Sequence, residues 1–129
     1  MDAPYGENEW RVEQARYTWE KLTEKTGVST DDINNRVIDF GFQNYWPSHH
    51  PRVIPEPFTP EPAETYSKED LDEYINVIKK IADEAYNNPE KVKNAPHNST
   101  LEGKVDISYL TDEEKFTNTW RAYKEKHMD

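Results

Sequence analysis

The chain has 129 residues, 33% of them apolar and 33% charged, which allows one domain but not a large self-contained core. Its formal net charge of −10 disfavours nucleic acid and anionic membrane as partners, since both need a basic face, and the absence of Cys excludes disulfides, thiolate catalysis and cysteine-type zinc sites. Four Trp, eight Tyr and four Phe argue against plain disorder, which is aromatic-poor, and leave a small ordered domain that leans on a partner.

Residues 1–8, with Pro4 and Gly6, read as a flexible irregular arm. Between 9 and 26 two periodicities compete. Trp10, Val12 and Gln14 alternate as in a strand, whereas Val12, Ala15 (or Arg16) and Trp19 share a helical face. Gly27 supplies the left-handed position just past a helix end. Ser29 or Thr30 caps the next helix, with Asp31 and Asp32 in its first turn and Ile33, Val37 and Phe40 as its buried stripe up to Gly41. Pro47, Pro51, Pro55, Pro57, Pro60 and Pro62 then rule out a helix or a central strand. Phe42–Tyr45 and Arg52–Ile54 are the segments here able to pair as strands. Tyr45, Trp46, Val53, Ile54 and Phe58 are costly to leave in water, so residues 46–62 read as an ordered wall in preference to a free linker.

Ser67, with Asp70 three residues on, caps a long helix over about 68–87. Leu71, Tyr74, Ile75, Ile78, Ala82 and Ala85 make one apolar stripe along it. Asn87-Asn88-Pro89 stops that helix, and Pro89 opens a short one to Asn94 that Pro96 closes. Leu101 to Leu110 is loop with a short strand at Val105–Ile107. Thr111-Asp112-Glu113-Glu114 is a full capping box. Phe116, Trp120 and Tyr123 follow it at helical spacing, a wholly aromatic stripe that suits either docking on its own domain or a clamp on another subunit.

The search for a self-sufficient active site finds little. There is no Gly-rich phosphate loop and no nucleophile elbow. His49 and His50 are adjacent and point to opposite sides of an extended chain, a poor joint metal site; no metal is expected. Glu61, Glu64 and Thr65 form a polar cluster that serves either as a lead-in to the helix or to orient a substrate or cofactor group. With no basic, apolar leader and no apolar run near the roughly 18 residues of a spanning helix, the chain reads as soluble and cytoplasmic.

Five short segments carry a resemblance. In order they are Gly27-Val28-Ser29, Asp39-Phe40-Gly41-Phe42, Pro55, Glu61-Pro62-Ala63-Glu64-Thr65-Tyr66-Ser67 with Leu71-Asp72 beyond it, and Asn94-Ala95-Pro96-His97. With compatible spacing, they make residues 10 to 100 resemble the C-terminal end of the glycine cleavage P-protein (glycine decarboxylase), especially its second subunit in organisms that split the enzyme. The resemblance implies an α+β fold, the small C-terminal domain of a fold type I pyridoxal-phosphate enzyme. A short, mostly antiparallel sheet would have helices on one side, with a strand near 9–15 and a helix near 17–26. Residues 9–100 would be the P-protein-like small domain, and 101–129 a loop and terminal helix extending to a subunit contact.

For function, the resemblance implies the small subunit of a glycine dehydrogenase (decarboxylating)-like oxidoreductase in a heteromeric complex. Such a complex decarboxylates glycine and passes the aminomethyl group to a lipoyl carrier protein, the pyridine ring of pyridoxal phosphate acting as electron sink. The family's cofactor lysine belongs to a large upstream domain, so no catalytic residue is assigned here, and the cofactor is expected mainly on a larger partner subunit. His49, His50, Glu64, Thr65 and His97 are the candidate linings of the substrate and cofactor mouth. Trp46, Phe58, Phe116, Trp120 and Tyr123 are the interface candidates. Two departures stand out: the family's Pro-Thr-Glu is Pro62-Ala63-Glu64, and His49-His50-Pro51 replaces a more apolar run. They keep two alternatives open, a different pyridoxal-phosphate amino-acid decarboxylase or transferase, and a non-catalytic regulatory or assembly subunit.

Overall fold

A computed structural model describes residues 1–4, 6–7, 16–43, 48, 53–99, 104 and 120–128. Its elements are β1 (Tyr17–Thr18), α1 (Glu20–Thr26), α2 (Thr30–Ile38), β2 (Pro57–Phe58), α3 (Lys68–Asn87), α4 (Pro89–Lys93) and α5 (Trp120–His127). The strands expected at 9–15 and 105–107 and the capping box at 111–114 lie outside the described residues.

The helix expected from residue 17 begins three residues later, because Tyr17 and Thr18 are held extended by pairing. They lie antiparallel to Phe58 and Pro57. On its other side Thr18 exchanges both backbone hydrogen bonds with Asp2, at 2.9 and 3.1 Å. Its own N–H and C=O being used there, Thr18 asks nothing of the residue opposite, and a proline without an N–H is tolerated. Neither the described part of 42–45 nor that of 52–54 is a strand. Beyond 53–54 Glu56 turns the chain with a φ of +44°, and Pro57 and Phe58 then align with β1. Glu56 also joins the sheet to α2. Its carbonyl accepts from the Trp19 N–H (2.9 Å) and its carboxylate from the Thr30 N–H (2.6 Å), placing negative charge where the start of a helix favours it.

Both long helices start in the same way. Asp32 N–H donates to Ser29 Oγ (3.1 Å) and Ser29 N–H to the Asp32 carboxylate (2.8 Å), so Ser29 and not Thr30 is the cap. Ser67 and Asp70 repeat the box at 3.1 and 2.9 Å. Gly27 closes α1 at a φ of +69°, its N–H donating to the Thr23 carbonyl at 2.8 Å. A side chain there strains the backbone, so Gly27→Ala is expected to lower the unfolding free energy by about 1–2 kcal/mol, seen as a lower urea midpoint at unchanged slope.

α1, α2 and α4 each pack on α3, and α2 packs on α4 as well. Leu22, Ile33, Val37, Ile78, Ile81, Ala85 and Val92 fill the space between them, with Trp19 and Phe58 closing one side. The stripe expected on α3 is corrected in one respect: Ile75 is 48% exposed and Ile81 is fully buried. Two overlapping stripes fit the spacing along α3, and the neighbouring helices cover the one through Val77 and Ile81. The wall is corrected as well. Ile54 and Phe58 turn inward, but Val53 is 70% exposed. Phe58, expected at an interface, belongs to this domain's own core, its ring 5.8 Å from Trp19 and 6.4 Å from Tyr17.

Candidate functional site

On α2 the apolar positions Ile33 and Val37, with Phe40 just past its end, share their face with Arg36, and on α3 Ile81 and Ala85 share theirs with Glu84. When the helices pack, these two charges meet. Arg36 Nε donates to Glu84 Oε2 (2.8 Å) and its NH2 to Oε1 (3.2 Å), a fork on one carboxylate. The third guanidinium nitrogen, NH1, donates to Asp39 Oδ2 at 2.6 Å. Lys91, from α4, donates to Glu84 Oε1 at 2.8 Å. Asp39 then uses its other oxygen on the chain beyond α4: Oδ1 accepts the backbone N–H groups of His97 (2.6 Å) and Asn98 (2.7 Å). The loop is tied a second time through the His97 ring, whose Nε2 lies 2.7 Å from the Lys91 carbonyl oxygen. The side chains of Arg36 and Asp39 are 7% and 1% exposed, so two cations and two carboxylates form a neutral cluster at the ends of α2 and α3.

Burial by itself would push the Asp39 carboxyl up, but the Asn98 amide, the Arg36 guanidinium and the His97 amide outweigh it and hold it below its ordinary value. For Glu84, burial is likewise outweighed by Arg36 and Lys91, and its pKa is lowered. Burial opposes the charge on Arg36 too, yet Glu84 and Asp39 raise its pKa. Both carboxyls thus titrate lower in the folded chain than in the unfolded one. On acidification the unfolded chain binds their protons first. Their contribution is whole above the ordinary carboxylate values of about 4. It drains as pH falls through that range toward the depressed native values. The thermal midpoint is expected to drop over this interval, and to drop less steeply in an Arg36→Leu variant; calorimetry from pH 6 downward in about one-unit steps reads both.

Phe40 begins a second feature. Its ring lies under the Arg36 guanidinium (4.9 Å) and the Lys80 ammonium (5.1 Å). It floors an open groove of about 490 Å³ with Val77, Asn76 and Lys80, rimmed by Glu69, Asp72 and Glu73. Among the described residues no group of three or more His, Asp or Glu side chains could hold a metal ion, and no helix is long and apolar enough to cross a membrane.

Of the expected mouth residues, the structure places His97 in the charged cluster. Glu64 and Thr65 are exposed in the turn before α3. His49, His50, Trp46 and Phe116 lie outside the described residues. Trp120 and Tyr123 are 65% and 52% exposed and stacked at 5.5 Å, with Tyr123 4.8 Å from the His127 ring. Sequence reasoning missed Arg36, Asp39, Glu84, Lys91 and Asn98 as a group. The available signal was a charge of opposite sign three residues past an isoleucine on each apolar stripe, Arg36 after Ile33 and Glu84 after Ile81.

A family model described as the glycine dehydrogenase C-terminal domain matches residues 8–104. The chain belongs to that family. A Pyrococcus abyssi protein named "Probable glycine dehydrogenase (decarboxylating) subunit 2" is 40% identical over 118 residues, 91% of this chain and 22% of the relative. A Thermotoga maritima protein of the same name is 44% identical over 83 residues, 64% of this chain and 17% of its own. The chain thus spans about a fifth of the length of the curated relatives it matches. No solved structure matches it. The resemblance drawn from the five short segments is borne out. In this glycine dehydrogenase C-terminal domain the four charged residues of the cluster, with His97 and Asn98, fall inside the matched range, and α5 falls beyond it.

Proposed function

We propose that this chain is the small C-terminal domain of a fold type I pyridoxal-phosphate enzyme. In this reading it completes a glycine dehydrogenase (decarboxylating) whose larger, cofactor-holding part is another polypeptide. The observation that carries the reading is the family match across residues 8–104. It is supported by the hydrogen bonds that join Asp39 to His97, since these residues come from two of the segments that resemble the P-protein.

The described residues do not themselves fit pyridoxal phosphate. Lys21, Lys68, Lys91, Lys93 and Lys104 each pair with a carboxylate, and no lysine whose side chain is described is buried. Glu69, Asp72 and Glu73 around the Phe40 groove would repel a phosphate. In this reading the cofactor therefore rests on the larger part, glycine is the substrate and a lipoyl carrier protein the acceptor. This domain shapes the mouth with His97 and with His49, His50, Glu64 and Thr65, and it offers Trp120 and Tyr123 as aromatic anchors for a subunit contact.

The test is to recover the tagged chain from its native cells, identify what co-elutes by mass spectrometry and record the absorbance. A larger subunit with a bound-pyridoxal band, and release of carbon dioxide from glycine, is the expected result. A colourless eluate without such a subunit would overturn the reading. Turnover of another amino acid in place of glycine would overturn the substrate.

A further inference from the structure

A carbonyl oxygen only accepts hydrogen bonds, so the 2.7 Å contact with Lys91 O requires the proton of the His97 ring to sit on Nε2. In the neutral ring the lone pair then lies on Nδ1. No described group bonds Nδ1, and His97 is exposed. The backbone that carries the ring is held as firmly as the ring itself. His97 and Asn98 both donate to one oxygen of Asp39, and Arg36 grips the other at 2.6 Å. Arg36 is in turn fixed by its fork on Glu84, and Glu84 also takes the ammonium of Lys91, whose carbonyl holds the ring. Ring and backbone are thus anchored to one buried cluster by independent bonds.

We propose that His97 is held in a single orientation that turns Nδ1 outward as an acceptor for an N–H or O–H donor of the bound ligand, and that Asp39 is the positioning residue that sets it. The identity of the ligand rests on the proposed function, and the ammonium of an amino acid is a donor of the required class.

Nitrogen-edited NMR on the full 129-residue chain reads the orientation without any partner. The Nε2–H proton is expected to be observed directly, protected from exchange with water, with Nδ1 at the shift of an unprotonated nitrogen. Asp39→Ala, which removes the acceptor of both backbone N–H groups, should lose that protected signal. Arg36→Lys, which keeps the charge but not the fork, should lose it too and serves where Asp39→Ala does not fold. A proton on Nδ1, an Nε2–H exchanging as in free imidazole, or a folded variant with the signal unchanged would each overturn the proposal. In the assembled enzyme, His97→Gln keeps a donor for the Lys91 carbonyl but has nothing at the Nδ1 position. It should lose about tenfold or more in kcat/KM at an unchanged thermal midpoint, and retention of kcat/KM would overturn the ligand contact. A protected Nε2–H in a chain that assembles with no pyridoxal enzyme would sink the functional reading and leave the orientation of His97 standing.

Discussion

Asp39→Ala is expected to lower the unfolding free energy by about 3–5 kcal/mol, read as a lower urea midpoint at unchanged slope. The side chain is 1% exposed, and its removal strands three donors at once: Arg36 NH1 and the backbone N–H groups of His97 and Asn98. Arg36 keeps its fork on Glu84, which places the loss at the lower end of that range. Asp39→Asn should cost less, because one amide oxygen can still accept from the two backbone groups while its NH₂ faces Arg36. The exposed pairs Lys21–Asp2 and Lys68–Asp72 provide the contrast, each contributing about 0–1 kcal/mol. An Asp39→Ala loss no larger than theirs would mean that the cluster is open to water in solution.

Ile81→Ala should cost about 2–5 kcal/mol. Ile81 is fully buried in the middle of α3, between helices that all pack on it, so the deleted carbons leave a cavity that rigid neighbours close only in part. Ile75→Ala removes the same atoms from a side chain 48% exposed and should stay within about 0.5 kcal/mol. Chemical denaturation of the two variants side by side decides which apolar stripe of α3 faces the core. Equal losses would contradict the packing described here.

That stripe shows where sequence reading reaches its limit. Leu71, Tyr74, Ile75 and Ile78 satisfy helical spacing as well as Tyr74, Val77, Ile78 and Ile81 do, and choosing between them needs the position of α1, α2 and α4. The short sheet failed for a similar reason. Its register depends on Glu56 turning the chain between two prolines, and nothing in a Pro-rich run announces which residue takes the positive φ. Phe58, an aromatic ring in a Pro-rich run, suits an interface anchor by sequence, whereas β2 turns it toward Trp19. In the candidate site, Asp39 and His97 were each visible within a short segment, but not as partners. Arg36 on an apolar face was a legible anomaly, since a charge there must be paired or stay out of the core.

The sequence by itself determined the family and most of the helix ends, though not the start of α1, which the pairing of Tyr17 and Thr18 delays. Ser29 with Asp32, Ser67 with Asp70, Gly27 with Thr23 and Pro89 at the start of α4 all act within a single turn, where neighbouring residues suffice to close the hydrogen bonds. Only the tertiary structure decided which face of α3 is buried, where the two strands meet, and that Arg36, Asp39, Glu84, Lys91 and His97 form one cluster. Arg36 and Glu84 are 48 residues apart and Asp39 and His97 are 58 apart. Over such separations the chain has no local preference, so these bonds form only once the packing of α2, α3 and α4 has brought the groups together and removed the water that competes for them.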